Sequence, residues 1–197
     1  MSEELEIEFK NKLSAKEYYN LLEYFEACED DYFTQENHYF DTDLWRLKEL
    51  HAGLRIRVLN DSAELTLKTP FKGHLLETTD YLSLTESKQL LLENKINSTG
   101  QVAKKLRELT IDPNDVHLIG SLITKRFEKK TPKGLFVLDK SFYGEQTDFE
   151  LEFEVQEVKQ GKIDFDAFLK KHHLKKIPSQ NKIVRMINES LRNKSNY

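Results

Sequence analysis

The stretch D-F-E-L-E-F-E, residues 148–154, decides the fold. Asp148, Glu150, Glu152 and Glu154 alternate with Phe149, Leu151 and Phe153, and a period of two sends alternate residues to opposite faces of a β-strand. One face is apolar and the other is wholly acidic. Like charges two residues apart stand ~6.6 Å apart along a strand, so four in a row repel unless something neutralises them. The same pattern opens the chain, where Glu4, Glu6, Glu8 and Lys10 alternate with Leu5, Ile7 and Phe9. Between them the sign reverses. Arg55 and Arg57 alternate with Leu54, Ile56 and Val58, and Lys68 follows Glu64 and Thr66 on the polar face of 63–69. A solvated sheet face usually mixes its charges and sets opposite signs across from one another. Segregated signs point to polar faces that are put to use.

Further strands are predicted at 35–40, 75–82 (with Glu77), 118–129, 134–142 (with Asp139) and 148–156, about eight in all. In 118–129 the pair Lys125-Arg126 leaves open which base shares the polar face. Lys125 is in phase with Ile119, Ile123 and Phe127, which favours Arg126. Helices fill the gaps. Ser14 with Glu17, and Ser98 with Gln101, have the spacing of capping boxes. A helical pattern covers 85–94, Asp164 can cap a helix carrying Phe165, Phe168 and Leu169, and 179–192 reads as helical.

The composition narrows the function. The chain has 197 residues, and 30 Lys+Arg against 34 Asp+Glu give a net charge of −4. This excludes the strongly basic profile of a general nucleic-acid binder, so no stable nucleic-acid partner is expected. Aromatic residues at 11% exclude a disordered chain. The single cysteine, Cys28, excludes an internal disulfide framework and a Cys-rich zinc module. No secretory signal opens the sequence and no apolar run approaches the ~20 residues of a membrane span. A cytoplasmic protein with no membrane partner, monomeric or homodimeric, is the expectation, with a single domain over 1–197 and its core at about 4–190. His38, His51, His74 and His117 are scattered singly, and the Gly-rich loops that cradle nucleotide phosphates are missing.

Closing the strands into an antiparallel barrel removes the exposed edges. With the first and last strands as neighbours, Glu6, Glu8, Glu150 and Glu152 would converge on one patch. A hard divalent cation neutralises such a patch, and Mg²⁺ favours one or two carboxylates plus waters and substrate phosphate oxygens. Mg²⁺ or Mn²⁺ is therefore the expected cofactor. The basic strands would face the patch across the interior, and an interior with a metal side and a cationic side suits a polyphosphate.

The residues in order resemble the CYTH superfamily, the triphosphate tunnel metalloenzymes. E-I-E-F-K at 6–10 is similar to that superfamily's ExExK signature, and Y-F-D-T (39–42), L-R-I-R (54–57), L-T-L-K (65–68), Arg126, L-D-K-S-F-Y-G (138–144), D-F-E-L-E-F-E and Lys182 follow it. The resemblance spans about residues 4–185. It implies an α+β fold, an eight-stranded antiparallel closed barrel with flanking helices whose charged tunnel acts on triphosphates with divalent metal. Glu6, Glu8, Glu150 and Glu152 correspond to metal-binding acids, with Glu77 and Asp139 as further interior acids. Lys10, Arg55, Arg57, Lys68, Arg126 and Lys182 correspond to phosphate-holding bases. Three activities stay open: hydrolysis of inorganic triphosphate or a small organic triphosphate, adenylate cyclisation of the class IV type, and non-catalytic binding of polyphosphate or nucleotide.

Overall fold

The computed structural model describes residues 2–194. In chain order its elements are β1 (Ser2–Glu6), β2 (Glu8–Leu13), α1 (Ala15–Tyr24), β3 (Tyr32–Thr42), α2 (Arg46–Glu49), β4 (Gly53–Val58), β5 (Ala63–Phe71) and β6 (His74–Leu82). Then come α3 (Leu84–Leu92), α4 (Gly100–Glu108), β7 (Val116–Thr131), β8 (Gly134–Tyr143), β9 (Gln146–Glu154), α5 (Val158–Lys171) and α6 (Lys182–Lys194).

All strands join one antiparallel sheet in the order β1-β6-β5-β4-β3-β7-β8-β9-β2. The count is nine where the alternation predicts eight, because the first predicted strand is two. Residues 2–6 pair with β6, the chain breaks at Ile7, and residues 8–13 pair with β9. The Ile7 carbonyl accepts from the Val155 amide at 3.0 Å, which carries the ladder across the break. The two edges of the sheet are thus consecutive halves of one segment, and the sheet is a nearly closed barrel.

The apolar core lies outside the barrel, under the helices. On one side Phe40, Leu54, Ile56, Leu65 and Leu67 pack against Val102 and Leu106 of α4. On the other, Phe127, Phe136, Leu151 and Phe153 pack against Tyr18 and Leu21 of α1 and Phe165 and Leu169 of α5. Each strand gives its apolar face to a helix, so its polar face must point into the barrel. A third cluster breaks this rule at one end. Met186 and Ile187 of α6 pack on Tyr39, Leu122 and Tyr143, and Leu122 is in phase with Arg126, so α6 sits on inward-facing residues.

The helix starts correct two readings. Ser14 and Glu17 form the predicted capping box, and Ser83 with Glu86 forms another ahead of α3. Ser98 does not cap α4. The Asp80 carboxylate of β6 accepts from the Gln101 and Val102 amides at 3.0 and 2.9 Å, a cap supplied from across the fold. Gly100 makes this possible. Its φ is +92°, and a Cβ there would lie 2.5 Å from Asp80 Oδ2. Asp164 does not cap α5 either. Glu157 accepts from the Lys159 and Gln160 amides at 2.8 and 2.6 Å, which starts the helix earlier and leaves Asp164 inside it, paired with Lys133 at 2.6 Å. His172 packs against Tyr24 and Phe168 with ring centroids 4.2 and 4.4 Å away. Cys28 is exposed.

An Asp80→Ala variant is expected to lose about 1 kcal/mol of unfolding free energy in urea, and Ser98→Ala to match the parent. The opposite order would return the cap to Ser98.

Candidate functional site

The inward faces enclose a cavity of about 680 Å³. It is lined from β1 and β2 by Glu6, Glu8 and Lys10, from β4 by Arg55 and Arg57, and from β5 and β6 by Lys68 and Glu77. Arg126, Asp139, Glu152 and Glu154 come from β7, β8 and β9, and Lys182 from the start of α6. Every sequence-predicted site residue except Glu150 therefore reaches this space. Lys125 does not. Its ammonium lies over the Tyr32 ring at 4.5 Å, while Arg126 is 7% exposed and faces inward.

The charges fall into three groups. In the first, Lys68 donates to both oxygens of Glu6 at 2.7 and 2.6 Å and also pairs with Glu77. Burial raises the Glu6 carboxyl above its ordinary value, although Lys68 pulls the other way. Burial works on Glu77 too, but Lys68 and Arg55 outweigh it and hold that carboxyl low. So Glu6 sits with Glu77 and not, as the sequence suggests, beside Glu150.

The second group lies where β8 and β9 run together. Arg126 makes a two-pronged bond to Asp139, Nε to Oδ1 at 2.8 Å and Nη2 to Oδ2 at 2.7 Å, and reaches Glu152 at 3.0 Å. Lys10 bridges Glu8 at 2.9 Å and Glu152 at 3.2 Å. Burial would push Asp139 and Glu152 up, but Arg126 and Lys182, joined at Glu152 by Lys10, hold both carboxyls below their usual range. Glu150 is off the cavity. Its Oε2 is ion-paired with Lys182 at 2.8 Å and accepts from Arg185 at 2.9 Å, and its Oε1 is buried without a partner among the described residues. Arg185, which also bonds Asp148 at 2.7 Å, was missed by sequence reasoning. The spacing Lys182-x-x-Arg185 was the available signal, since residues three apart on a helix share a face.

The third group is cationic. Arg57 donates to Asn37 Oδ1 at 3.1 Å and meets Glu64 at 3.4 Å. Arg55 has a buried Nε with no hydrogen-bond partner among the described residues. Burial, with the neighbouring Arg55 and Arg126 guanidiniums, presses Arg57 down to about 10. Guanidiniums that repel one another around a cavity form a site for an anion, because phosphate oxygens match their fork geometry.

Opposite stands Glu154, which faces Glu8 across the β2–β9 ladder. Burial, only partly offset by Arg126, raises its carboxyl to about 7, and Glu152, Glu6 and Glu8 add to the rise. A carboxyl so disfavoured as an anion calls for a cation. The donor set fits a hard divalent ion, since all donors are carboxylate oxygens, and those of Asp139, Glu150 and Glu152 lie within 4.8 Å of one another. Asp41 has a structural role instead. It accepts from the Leu47 and Lys48 amides at 2.9 and 3.1 Å and starts α2.

Comparison with known proteins agrees with this architecture. The CYTH domain model matches residues 4–187. A Bacillus subtilis protein named "Putative triphosphatase YjbK" is 41% identical over 189 residues, covering 96% of this chain and 97% of its own. The crystal structure of a "putative adenylate cyclase" from Bacillus halodurans is 37% identical, covers 94% of this chain and 98% of its own, and superposes with a TM-score of 0.89. A Hippeastrum protein described as a "putative adenylyl cyclase" with a dominant triphosphatase activity shares the fold at 21% identity, with a TM-score of 0.78 over 93% of this chain and 96% of its own. Among the described residues no helix is long and apolar enough to cross a membrane.

The raised carboxyl of Glu154 sets a pH dependence. A folded-state value above the unfolded one gives stability that is complete below about pH 4 and lost as pH rises through about 7. Glu154→Gln is therefore expected to raise the melting temperature above pH 7 without metal, by the equivalent of about 1 kcal/mol after allowance for solvent screening. The gain should vanish near pH 4. A gain at every pH, or none, would contradict the crowding of acids at this position.

Proposed function

The chain belongs to the CYTH family, and from that premise we propose that it is a divalent-metal-dependent triphosphatase. The substrate class is inorganic triphosphate or a small organic triphosphate, bound within the barrel. The observation that carries this reading is the pairing, inside one cavity, of an under-compensated guanidinium, Arg57, with under-compensated carboxylates, Glu6 and Glu154. A fold needs neither. Buried ion pairs are often no more stable than apolar side chains of the same volume, so charges of both signs facing an internal space mark function rather than architecture.

Arg55, Arg57 and Arg126 would hold phosphate oxygens by charge-assisted hydrogen bonds, and Lys68 and Lys10 would extend the grip. Glu8, Glu152 and Glu154, with Glu6 at their side, would hold Mg²⁺ or Mn²⁺. Such an ion, when bound, neutralises phosphate charge and makes hydroxide available near neutral pH. The chain's own residues orient the triphosphate, offset its charge and exclude bulk water. Phosphoryl transfer asks little covalent chemistry of a protein, so positioning and charge supply most of the rate. No Ser, Cys or His nucleophile is needed. An adenylate cyclase would use the same site on ATP, as the name of the Bacillus halodurans relative suggests for that protein.

Phosphate release from tripolyphosphate and from ATP, with and without Mg²⁺ or Mn²⁺, tests the proposal. Release is expected to need metal, to fall about 100-fold or more in Glu152→Gln, and to show a raised KM in Arg55→Ala. Cyclic AMP formed from ATP without phosphate release would assign the cyclase instead. Binding without turnover would leave a non-catalytic module.

A further inference from the structure

Lys182 stands at the first turn of α6, and its Nζ lies 2.8 Å from Asp139 Oδ2, 2.8 Å from Glu150 Oε2 and 2.6 Å from Glu152 Oε1. The contact to Glu152 is a hydrogen bond and those to Asp139 and Glu150 are ion pairs. In this arrangement the Lys182 ammonium is turned to three carboxylates rather than to a phosphate, the role that family resemblance gives it. The carboxylates it joins are the ones whose oxygens lie within 4.8 Å of one another, the grouping a hard divalent cation would use. Two cations therefore have a claim on one point.

We propose that Lys182 is a built-in counter-ion that competes with a divalent cation for the inner carboxylates Asp139, Glu150 and Glu152. Metal loading at this point then frees its ammonium to face the anion in the cavity. The inference rests on the metal-dependent reading given above and goes further, because it makes metal and triphosphate sites cooperate through one side chain.

The neighbours identify Lys182 as the cation that yields. Arg126 is fixed to Asp139 by two parallel hydrogen bonds and is carried by the middle of a long strand. Arg185 is fixed between Asp148 and Glu150, and its Nε donates to the Gln180 carbonyl at 3.0 Å. Lys182 is a point charge on a flexible stem of four carbons. It can swing while α6 stays seated, because Met186, Ile187 and Arg185 hold the helix independently of it. With Lys10, Arg126, Lys182 and Arg185 all present the acids are already compensated, so a divalent ion would enter against repulsion unless one cation left. After the swing the ammonium remains in the cavity that Lys182 already lines.

Mn²⁺ binding without substrate, followed by electron paramagnetic resonance of the free ion, tests this on the intact chain. The wild type is expected to bind one ion readily and a second at higher concentration. Lys182→Met should tighten the second by about tenfold or more, and Lys182→Arg should resemble the wild type. Identical isotherms for wild type and Lys182→Met would overturn the competition. Mn²⁺ binding by neither would overturn the metal-dependent reading and this inference with it. Acylation of Lys182 in the wild type, read by peptide mass spectrometry, needs no variant. Labelling is expected to rise with Mn²⁺, and unchanged labelling in a chain that binds Mn²⁺ would count against the release of the side chain.

Discussion

A charge removed from water must be answered by another charge, and this constraint organises the whole molecule. The desolvation penalty of a lone buried carboxylate or guanidinium exceeds what most single contacts contribute to folding. Arg126, Asp139, Glu150 and Glu152 are all at most 7% exposed, and each is bonded to at least one partner of opposite sign. Removing one partner would leave the others uncompensated, which typically costs about 3–5 kcal/mol. The network therefore behaves as a unit. Compensation is incomplete at Arg57 on one wall and Glu154 on the other, and the buried Nε of Arg55 has no hydrogen-bond partner among the described residues, which are the places a ligand of opposite charge would complete.

The scaffold meets this constraint by turning the usual arrangement of a β-barrel inside out. The apolar faces of β3–β5 and of β7–β9 point outward and are covered by α4, α1 and α5. Stability comes from these two outer cores, so the inner faces can be given to charge. The break at Ile7 completes the design. A single amino-terminal segment serves both edges of the sheet, and it carries Glu6 and Glu8 to different neighbours on either side of the break. Closure and site construction are one event in the chain.

Much of this is legible in the sequence, because β-strand alternation reports directly on which face a residue occupies. The acidic row 148–154, the Arg55-Arg57 pair and the choice of Arg126 over Lys125 all follow from phase alone. Phase does not report register. Glu150, Glu152 and Glu154 share one face, and only their pairing with Lys12, Lys10 and Glu8 decides that Glu154 joins the acids of the cavity while Glu150 turns to Arg185. The break at Ile7 is hidden for a related reason, since Leu5, Ile7 and Phe9 alternate without interruption through it. The caps from Asp80 and Glu157 depend on neighbours remote in sequence or on helix extension, and local capping rules point to the nearer Ser98 and Asp164. The partners of Lys182 and Arg185 belong to strands thirty or more residues away.

The central claim is that guanidiniums and carboxylates facing one another across the barrel hold a triphosphate and its metal between them. The direct measurement is a crystal structure with tripolyphosphate and Mn²⁺, using anomalous scattering to place the metal. Phosphate oxygens are expected at Arg55, Arg57 and Arg126, with an anomalous peak beside Glu8, Glu152 and Glu154. An anion bound outside the barrel, or a metal held away from these glutamates, would contradict the account.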